Sequence, residues 1–397
     1  MATRLDVERM GNWKIDRGQK CKVAHDPEYT PPSACRRSNF TSHISHAIIF
    51  LSSFCFVLIS CPLQVVGQRT DLSQELHPGL RIYQYDWDTE SCVLYVAEMD
   101  RSHSDLHFEA ALAADEILGK EPVRSIAQRR SQRDDRRVLV AINGGFGVLG
   151  DMRGYGGVLE NLHIQDGELM TQPADAEACF GATDDGQFLI GPVHMKATVT
   201  IASHTLPIEC INQRYLDGCK SILYTPRMGY STHTNRKRGH EIILTGLKLP
   251  LTGNYESEFV VDRFGKIGNS PIPRNGAVLA FRSPIDKRSA AQLGEGQQGQ
   301  IEIALEPAVW NRVVQAVGGR MRLVKNGKVN ETLEKMHRAE KDHTPGKRKP
   351  NLVLSYEPRT ALGYNDQKLG AYISWGSRGI THRIADSPKR ASDEVEN

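Results

Sequence analysis

The sequence predicts an α+β fold: a single domain with a mixed, mainly antiparallel β-sheet core and a few flanking helices. Three observations predict it. Short runs rich in β-branched and aromatic residues recur from Leu80 onward. Three breaks between such runs, Asp166-Gly167, Asp185-Gly186 and Asn326-Gly327, tolerate the positive φ of a tight hairpin turn. Regular strand–helix alternation is absent and no repeat of fixed period runs through the chain, which argues against a doubly wound sheet or a solenoid.

The composition is globular, with 39% hydrophobic and 24% charged residues among 397, and 35 Gly against 19 Pro imply many tight turns. Fifty basic residues against 47 acidic ones leave a formal charge of +3, so there is no global field to draw nucleic acid or an anionic membrane.

Residues 1–67 read as an address and not as fold. Residues 1–46 are a leader expected to be disordered. Ala47–Leu63 is almost uncharged and follows the basic pair Arg36-Arg37, so residues 47–67 are a signal peptide or a short membrane anchor. The apolar run is shorter than a comfortable bilayer span of roughly 20 residues. Val65 and Gly67 are small enough for cleavage before Gln68. Leu58-Ile59-Ser60-Cys61 loosely fits a lipobox, but Pro62 weakens that reading, and Arg36-Arg37 is better read as flanking charge than as a twin-arginine signal. The expected location is extracytoplasmic, secreted or anchored through residues 47–63. The folded domain is expected over 68–386, with a disordered tail at 387–397.

Four of the eight Cys (Cys21, Cys35, Cys55, Cys61) lie in the leader, leaving Cys92, Cys179, Cys210 and Cys219. An even number suits an oxidising compartment. Cys210 and Cys219 flank a short Asn/Asp/Gly-containing loop and are either a disulfide or two buried thiols; their spacing is not that of a zinc site.

Leu80–Trp87 and Ser91–Glu98 alternate apolar and polar residues about a turn and predict an opening hairpin. Phe108, Ala111, Leu112 and Ile117 predict a helix over Asp105–Gly119. Arg124–Arg137 is basic without interleaved aromatics and reads as a solvated helix end or loop that leads into an apolar strand, Val138–Ile142. Phe188–Ile201, Glu241–Leu249, Ala277–Phe281 and Gln300–Leu305 are β-like. Pro307–Val317 predicts a helix that starts at its Pro and stops at Gly318-Gly319. Glu334–Pro350 reads as an exposed loop before a strand-like Asn351–Tyr356.

Gly145-Phe146-Gly147-Val148-Leu149-Gly150 matches the dinucleotide pattern, but Asp151–Gly157 offers no helix N-terminus for pyrophosphate, so no nucleotide site is expected. The sequence carries no nucleophile elbow, no zincin His pair (His240-Glu241 lacks the second His) and no P-loop. No cofactor and no metal are expected.

One ordered set of segments carries more information. It begins with Asn143-Gly144-Gly145-Phe146 after an apolar run, then Gly157-Val158-Leu159-Glu160, Gly167–Met170 and Cys179–Phe188. It closes with Val317–Val329 and Glu357-Pro358-Arg359-Thr360-Ala361-Leu362-Gly363. In this order the chain resembles the phosphodiester glycosidase family. The resemblance implies hydrolysis of sugar-1-phosphodiester bonds, a carbohydrate or sugar-phosphate partner and no nucleic acid; for exported relatives it implies a link to exopolysaccharide.

The resemblance implies Arg359, Asn143, Asp100 and Glu160 as catalytic candidates, with Gly144, Gly145, Phe146, Thr360 and Arg227 as substrate-binding candidates. Arg359 would grip phosphate oxygens in a bidentate fork, Asn143 would hold a sugar hydroxyl or phosphate oxygen, and the glycines would let substrate approach the backbone. A carboxylate, Asp100 or Glu160, would stabilise or attack an oxocarbenium-like centre or activate water. Each acid can equally be a surface acid or a turn cap, Phe146 can pack into the core, and Arg227 can serve a loop salt bridge. Family members usually continue to a late Asp-Gly-Gly-Gly-Ser segment. Here Gly370–Ser374 is followed by different residues and a polar tail, which implies a truncated or degenerate member and leaves a non-catalytic carbohydrate-binding or cell-surface protein as the alternative.

Overall fold

The computed structural model describes residues 73–87, 92–133, 136–148, 150, 154–174, 178–202, 204–214, 218–235, 240–265, 268–281, 294–331 and 359–376. The chain divides into units Met1–Leu63 and Gln64–Asn397, and all described residues lie in the second. The expectations for residues 1–67, Glu334–Pro350, Asn351–Tyr356 and the tail 387–397 fall outside the described residues.

Strands β1 (Gln74–His77), β2 (Leu80–Trp87) and β3 (Cys92–Asp100) open the fold, β2 and β3 forming the predicted antiparallel hairpin. The helix predicted over Asp105–Gly119 does not form; the stretch holds only a 3-10 turn at Ala113–Asp115. Three of its backbone donors are taken by side chains outside the stretch. The amide of Ala110 donates to Gln315 Oε1 (3.0 Å), Leu112 to Gln165 Oε1 (3.2 Å) and Ala114 to Glu121 Oε2 (2.9 Å). Ala114 and Asp115 sit at φ 51° and 58°, where no right-handed helix continues. Leu112 and Ile117 are nevertheless buried in the core.

The one α-helix among the described residues, α1 (Val123–Arg133), lies in the basic stretch expected to be a solvated end or loop. Its charges are not all solvated. Arg130 is buried within 3.2 Å of Glu109 and 3.5 Å of Asp166, and Arg129 binds Asp115 at 2.5 Å and Glu121 at 3.0 Å. The strand predicted at Val138–Ile142 joins no ladder; its first amide instead donates to Ser131 Oγ of α1 at 3.0 Å.

Seventeen further strands follow among the described residues. They are β4 (His163–Gln165), β5 (Glu168–Thr171), β6 (Ala178–Thr183), β7 (Phe188–Pro192), β8 (His194–Ile201), β9 (His204–Pro207), β10 (Cys210–Ile211), β11 (Ser221–Tyr224) and β12 (His240–Thr245). After these come β13 (Asn254–Gly265), β14 (Gly276–Phe281), β15 (Gln298–Glu306), β16 (Val313–Gly318), β17 (Val324–Lys325), β18 (Lys328–Val329), β19 (Arg359–Tyr364) and β20 (Lys368–Gly376). The three dipeptide turns stand where predicted. Asp166-Gly167 joins β4 to β5 at φ 52° and 79°, Asn326-Gly327 joins β17 to β18 at 51° and 67°, and Gly186 at 79° turns β6 into β7.

The helix predicted over Pro307–Val317 is also replaced: a 3-10 turn at Ala308–Arg312 leads into β16, hydrogen-bonded to β4 on one side and β6 on the other. The β-branched run Val313-Val314-Gln315-Ala316-Val317 fits a central strand, and ladders on both edges outweigh the Pro and Gly-Gly signals.

The strands form three larger sheets and the β17–β18 hairpin. The sheet orders are β1-β2-β3-β20-β19, β10-β11-β14-β12-β13-β15-β8-β9 and β5-β4-β16-β6-β7. Every recorded pairing is antiparallel except β10 with β11. Alternation assigns the faces. Along β13, Tyr255, Ser257, Phe259 and Val261 point inward while Asn254, Glu256, Glu258 and Val260 face out. One face of the eight-stranded sheet packs against the sheet of β4, β6 and β16 through residues such as Phe259, Ile303, Ile164 and Ala316. The opposite face of that smaller sheet meets β19 and β20 through Phe180, Phe188, Leu369 and Tyr364. The β16 sheet is therefore the middle layer, and the candidate site sits at the end of its central strand.

Candidate active site

Asn143-Gly144-Gly145-Phe146 leaves the irregular stretch after α1 and crosses the end of β16. A Cβ on Gly145 would stand 2.9 Å from the Gly318 carbonyl oxygen, and one on Gly318 would stand 2.4 Å from Asn161 Cβ. Gly145 thus meets the main chain of Gly318, and Gly318 meets the base of the Asn161 side chain, so neither position accepts a Cβ without a shift. At Gly145 the close approach is to the Gly318 carbonyl. A Cβ on the exposed Gly144 would meet Val317 Cγ1 at an ordinary 3.6 Å.

Beyond the crossing the chain forms a short ladder with Val158–Glu160. The Phe146 carbonyl accepts from the Glu160 amide (2.9 Å), and the Val148 amide donates to the Val158 carbonyl (2.9 Å). The glycine pattern that formally matched a dinucleotide loop therefore enters a β-ladder and not a helix N-terminus. This ladder brings three distant segments to one point. The Arg320 guanidinium lies 4.5 Å from the centre of the Phe146 ring, and its Nη2 is 3.7 Å from Glu160 Oε2. Phe146 is 53% exposed, and the Arg320 and Glu160 side chains are 44% and 43% exposed, so all three face solvent. Asn143, three residues before Phe146, is also exposed.

The support beneath is polar and buried. Asn161 donates from Nδ2 to the Gly319 carbonyl (2.8 Å), while its Oδ1 accepts from the amides of Leu162 and Ala174 (2.7 Å each). One side chain thereby ties the residue before Arg320 to the residue after Glu160. On β4, His163 pairs in register with Thr171 and Val317; burial pushes its imidazole down to about 4, so it is neutral at physiological pH. Its Nε2 is buried without a hydrogen-bond partner.

The other expected residues stand elsewhere. Asp100 ends β3 and closes a turn, its Oδ1 accepting from the Ser102 amide (2.9 Å) and hydroxyl (2.7 Å); these bonds hold its carboxyl below the usual range. Arg359 and Thr360 open β19, the edge strand of the first sheet. Arg359 faces Ser374 of β20 whereas Asp100 faces Lys368, so the two lie six residues apart along that strand, about 20 Å. Asp100 and Arg359 therefore do not share a centre. Arg227 is committed to Glu168, with Nη2 and Nε at 2.6 and 2.9 Å from its Oε2; this bond raises the guanidinium's affinity for its proton. Cys210 and Cys219 form a disulfide, and the buried Cys179 thiol donates to Asn161 Oδ1 at 3.6 Å.

Arg320, Asn161 and His163 were not legible as site residues. The available signal was Val317-Gly318-Gly319-Arg320, a strand ending in two glycines and a cation, but reading Pro307–Val317 as a helix hid its geometry. Chemically, the cluster offers an exposed cation, a carboxylate and an aromatic face. The Arg320–Glu160 contact is an exposed pair worth about 0–1 kcal/mol, so an incoming anion can replace Glu160 as Arg320's partner.

A layered, almost wholly antiparallel protein with a cation–carboxylate–aromatic cluster at a glycine crossing is the class defined by this geometry. Residues 254–381 match the phosphodiester glycosidase family, the family the sequence resembles. That stretch contains Arg320, Arg359 and Thr360; Asn143, Phe146 and Glu160 precede it. A hypothetical protein from Synechocystis has a similar fold (TM-score 0.59, 14% identity), covering 79% of this chain and 55% of that one. A protein from Burkholderia pseudomallei K96243 described as exported is also similar (TM-score 0.56, 15% identity), covering 77% of this chain and 66% of that one. The chain thus spans less than two thirds of either length. No curated protein matches it.

Proposed function

We propose that this chain is an exported glycosidase-like hydrolase that cleaves sugar-1-phosphodiester bonds in surface or extracellular glycans. The observation that carries this reading is the convergence of Phe146, Glu160 and Arg320 from three separate segments. The family match supports the reaction class, and the apolar run Ala47–Leu63 supports export.

In this reading the diester oxygens take Arg320 in a charge-assisted bidentate contact that the weak pair with Glu160 cannot resist. Glu160 is released beside the sugar, where its carboxylate stabilises or attacks the oxocarbenium-like carbon or activates water. The phosphodiester leaving group is a weak base and departs with little protonation. Phe146 offers its free face to the ring, and Asn143 a hydroxyl or phosphate contact.

A non-catalytic carbohydrate-binding role is the second reading. One observation favours it: Asp100 is held in its own turn, leaving Glu160 as the one expected carboxylate at the cluster. Assaying the full chain on a chromogenic sugar-1-phosphodiester separates the two. The enzyme reading expects turnover that Glu160→Gln and Arg320→Ala each reduce by roughly two orders of magnitude, while Arg312→Ala, which loses only exposed pairs, does not. Binding of the substrate without turnover would leave the second reading.

A further inference from the structure

A second exposed aromatic surface lies beyond the far end of the Phe146–Glu160 ladder. Tyr230 is 80% exposed, and with Phe146 it is one of two aromatics among the exposed large hydrophobic residues described. Its ring centre is 5.8 Å from that of His233 in an edge-on arrangement, and the His233 ring is in turn 6.2 Å from buried Tyr155. One exposed Tyr needs no explanation. Here the loop beneath it is built. His233 and Asn235 hold φ of 54° and 49°, a left-handed conformation that costs free energy at a non-glycine residue.

That conformation is fixed from below by a buried carboxylate. Glu241 Oε1 accepts from the hydroxyls of Thr232 (2.7 Å) and Thr234 (2.6 Å), and its Oε2 accepts from the Ser270 amide (2.9 Å). The Tyr155 hydroxyl adds a bond to the Thr232 carbonyl at 3.2 Å. A surface fixed in this way loses little conformational freedom when a ligand settles on it.

The platform packs on the turn from which the Val158–Glu160 strand leaves. Phe146 pairs with Glu160 and Val148 with Val158, a step of about 7 Å along the ladder. The turn that starts this return strand contains Tyr155, whose Val158 amide contact closes it at 3.2 Å. An aromatic face beside an imidazole and a phenolic hydroxyl suits a pyranose, which presents C–H groups on one face and hydroxyls around its rim.

We propose that Tyr230 and His233 form a subsite for a second pyranose of the glycan whose phosphodiester is held at Phe146, Glu160 and Arg320, an inference that rests on the function proposed above. The substrate is then a phosphodiester of an oligosaccharide and not of a lone monosaccharide.

The test compares two chromogenic sugar-1-phosphodiesters, one with a single pyranose and one with two, on the full chain. The two-sugar compound should show the higher kcat/KM through a lower KM, and Tyr230→Ala and His233→Ala should each cut that advantage roughly three- to tenfold. Tyr230→Phe, which keeps the ring, should preserve most of it. Equal KM values for the two compounds in the parent protein, or an advantage untouched by Tyr230→Ala, would overturn the subsite. If neither compound is turned over, the hydrolase reading fails separately. Saturation-transfer NMR with the phosphate-free disaccharide then reads the platform directly: a signal lost in Tyr230→Ala supports it, and no signal in the parent protein refutes it.

Discussion

The Arg320 guanidinium lies 4.5 Å from the centre of the half-exposed Phe146 ring, so the cation is aimed by an aromatic face and not by a buried acid. Such a contact is worth about 0.5–1 kcal/mol at an exposed site. Phe146→Leu should therefore change unfolding free energy by no more than about 0.5 kcal/mol, the usual range for surface positions. It should raise KM for a sugar phosphodiester. A loss of several kcal/mol in a denaturant titration would instead place Phe146 in the core.

Asn161 should matter to stability more than any exposed member of the cluster. Asn161→Ala leaves the buried amide of Leu162, that of Ala174 and the Gly319 carbonyl without this partner. At about 1–3 kcal/mol for each unsatisfied group, partly offset by relaxation, a loss near 3 kcal/mol is expected by denaturation. Asn161→Asp keeps the two acceptor bonds and should lose less. Equal losses would show that the bond to Gly319 dominates.

His163 predicts an acid-sensitive fold. Its imidazole titrates near 4 when buried and near the ordinary 6.5 when unfolded. Below pH 6.5 the unfolded chain takes up a proton that the folded chain refuses, so stability falls as pH drops from 6.5 towards 4. The decline reaches about 3 kcal/mol at pH 4, and above 6.5 the group adds no slope. His163→Gln should flatten this part of the pH–stability curve. An unchanged curve would mean that His163 is not the group responsible.

The Cys210–Cys219 disulfide closes a loop of sequence separation 9. Chain-entropy reasoning gives such a closure about 2–3 kcal/mol. A Cys210→Ala, Cys219→Ala double variant should lose that amount in a denaturant titration under non-reducing conditions, and adding reductant to it should cause no further loss from this site.

What the sequence revealed and what it hid divide along one line, the range of the interaction. Asp166-Gly167 and Asn326-Gly327 make hairpins because the positive φ they require is a property of two adjacent residues. The apolar period over Asp105–Gly119 was real in that Leu112 and Ile117 are core residues, yet Gln315 and Gln165 take two of its backbone donors from more than 50 positions away, and no local pattern contains that. The arginines of α1 read as solvated because Glu109, Asp115 and Asp166 meet Arg130 only in the folded chain. The same holds at the site. The Asn143–Phe146 turn was visible in the sequence, but Arg320 joins it only because β16 is a central strand.

The crossing of Gly145 over Gly318 has a consequence for how this protein can diversify. Because main chain, and not side chains, sets the spacing between the Phe146 and Arg320 segments, the two outward residues can be exchanged while the frame that holds them apart stays the same. Libraries randomised at 146, 160 and 320 should therefore yield mostly folded variants with altered ligand preference, whereas changes at 145 or 318 should yield few. The scaffold keeps its tolerance for variation in the residues that meet solvent and its intolerance in the two that have no side chain.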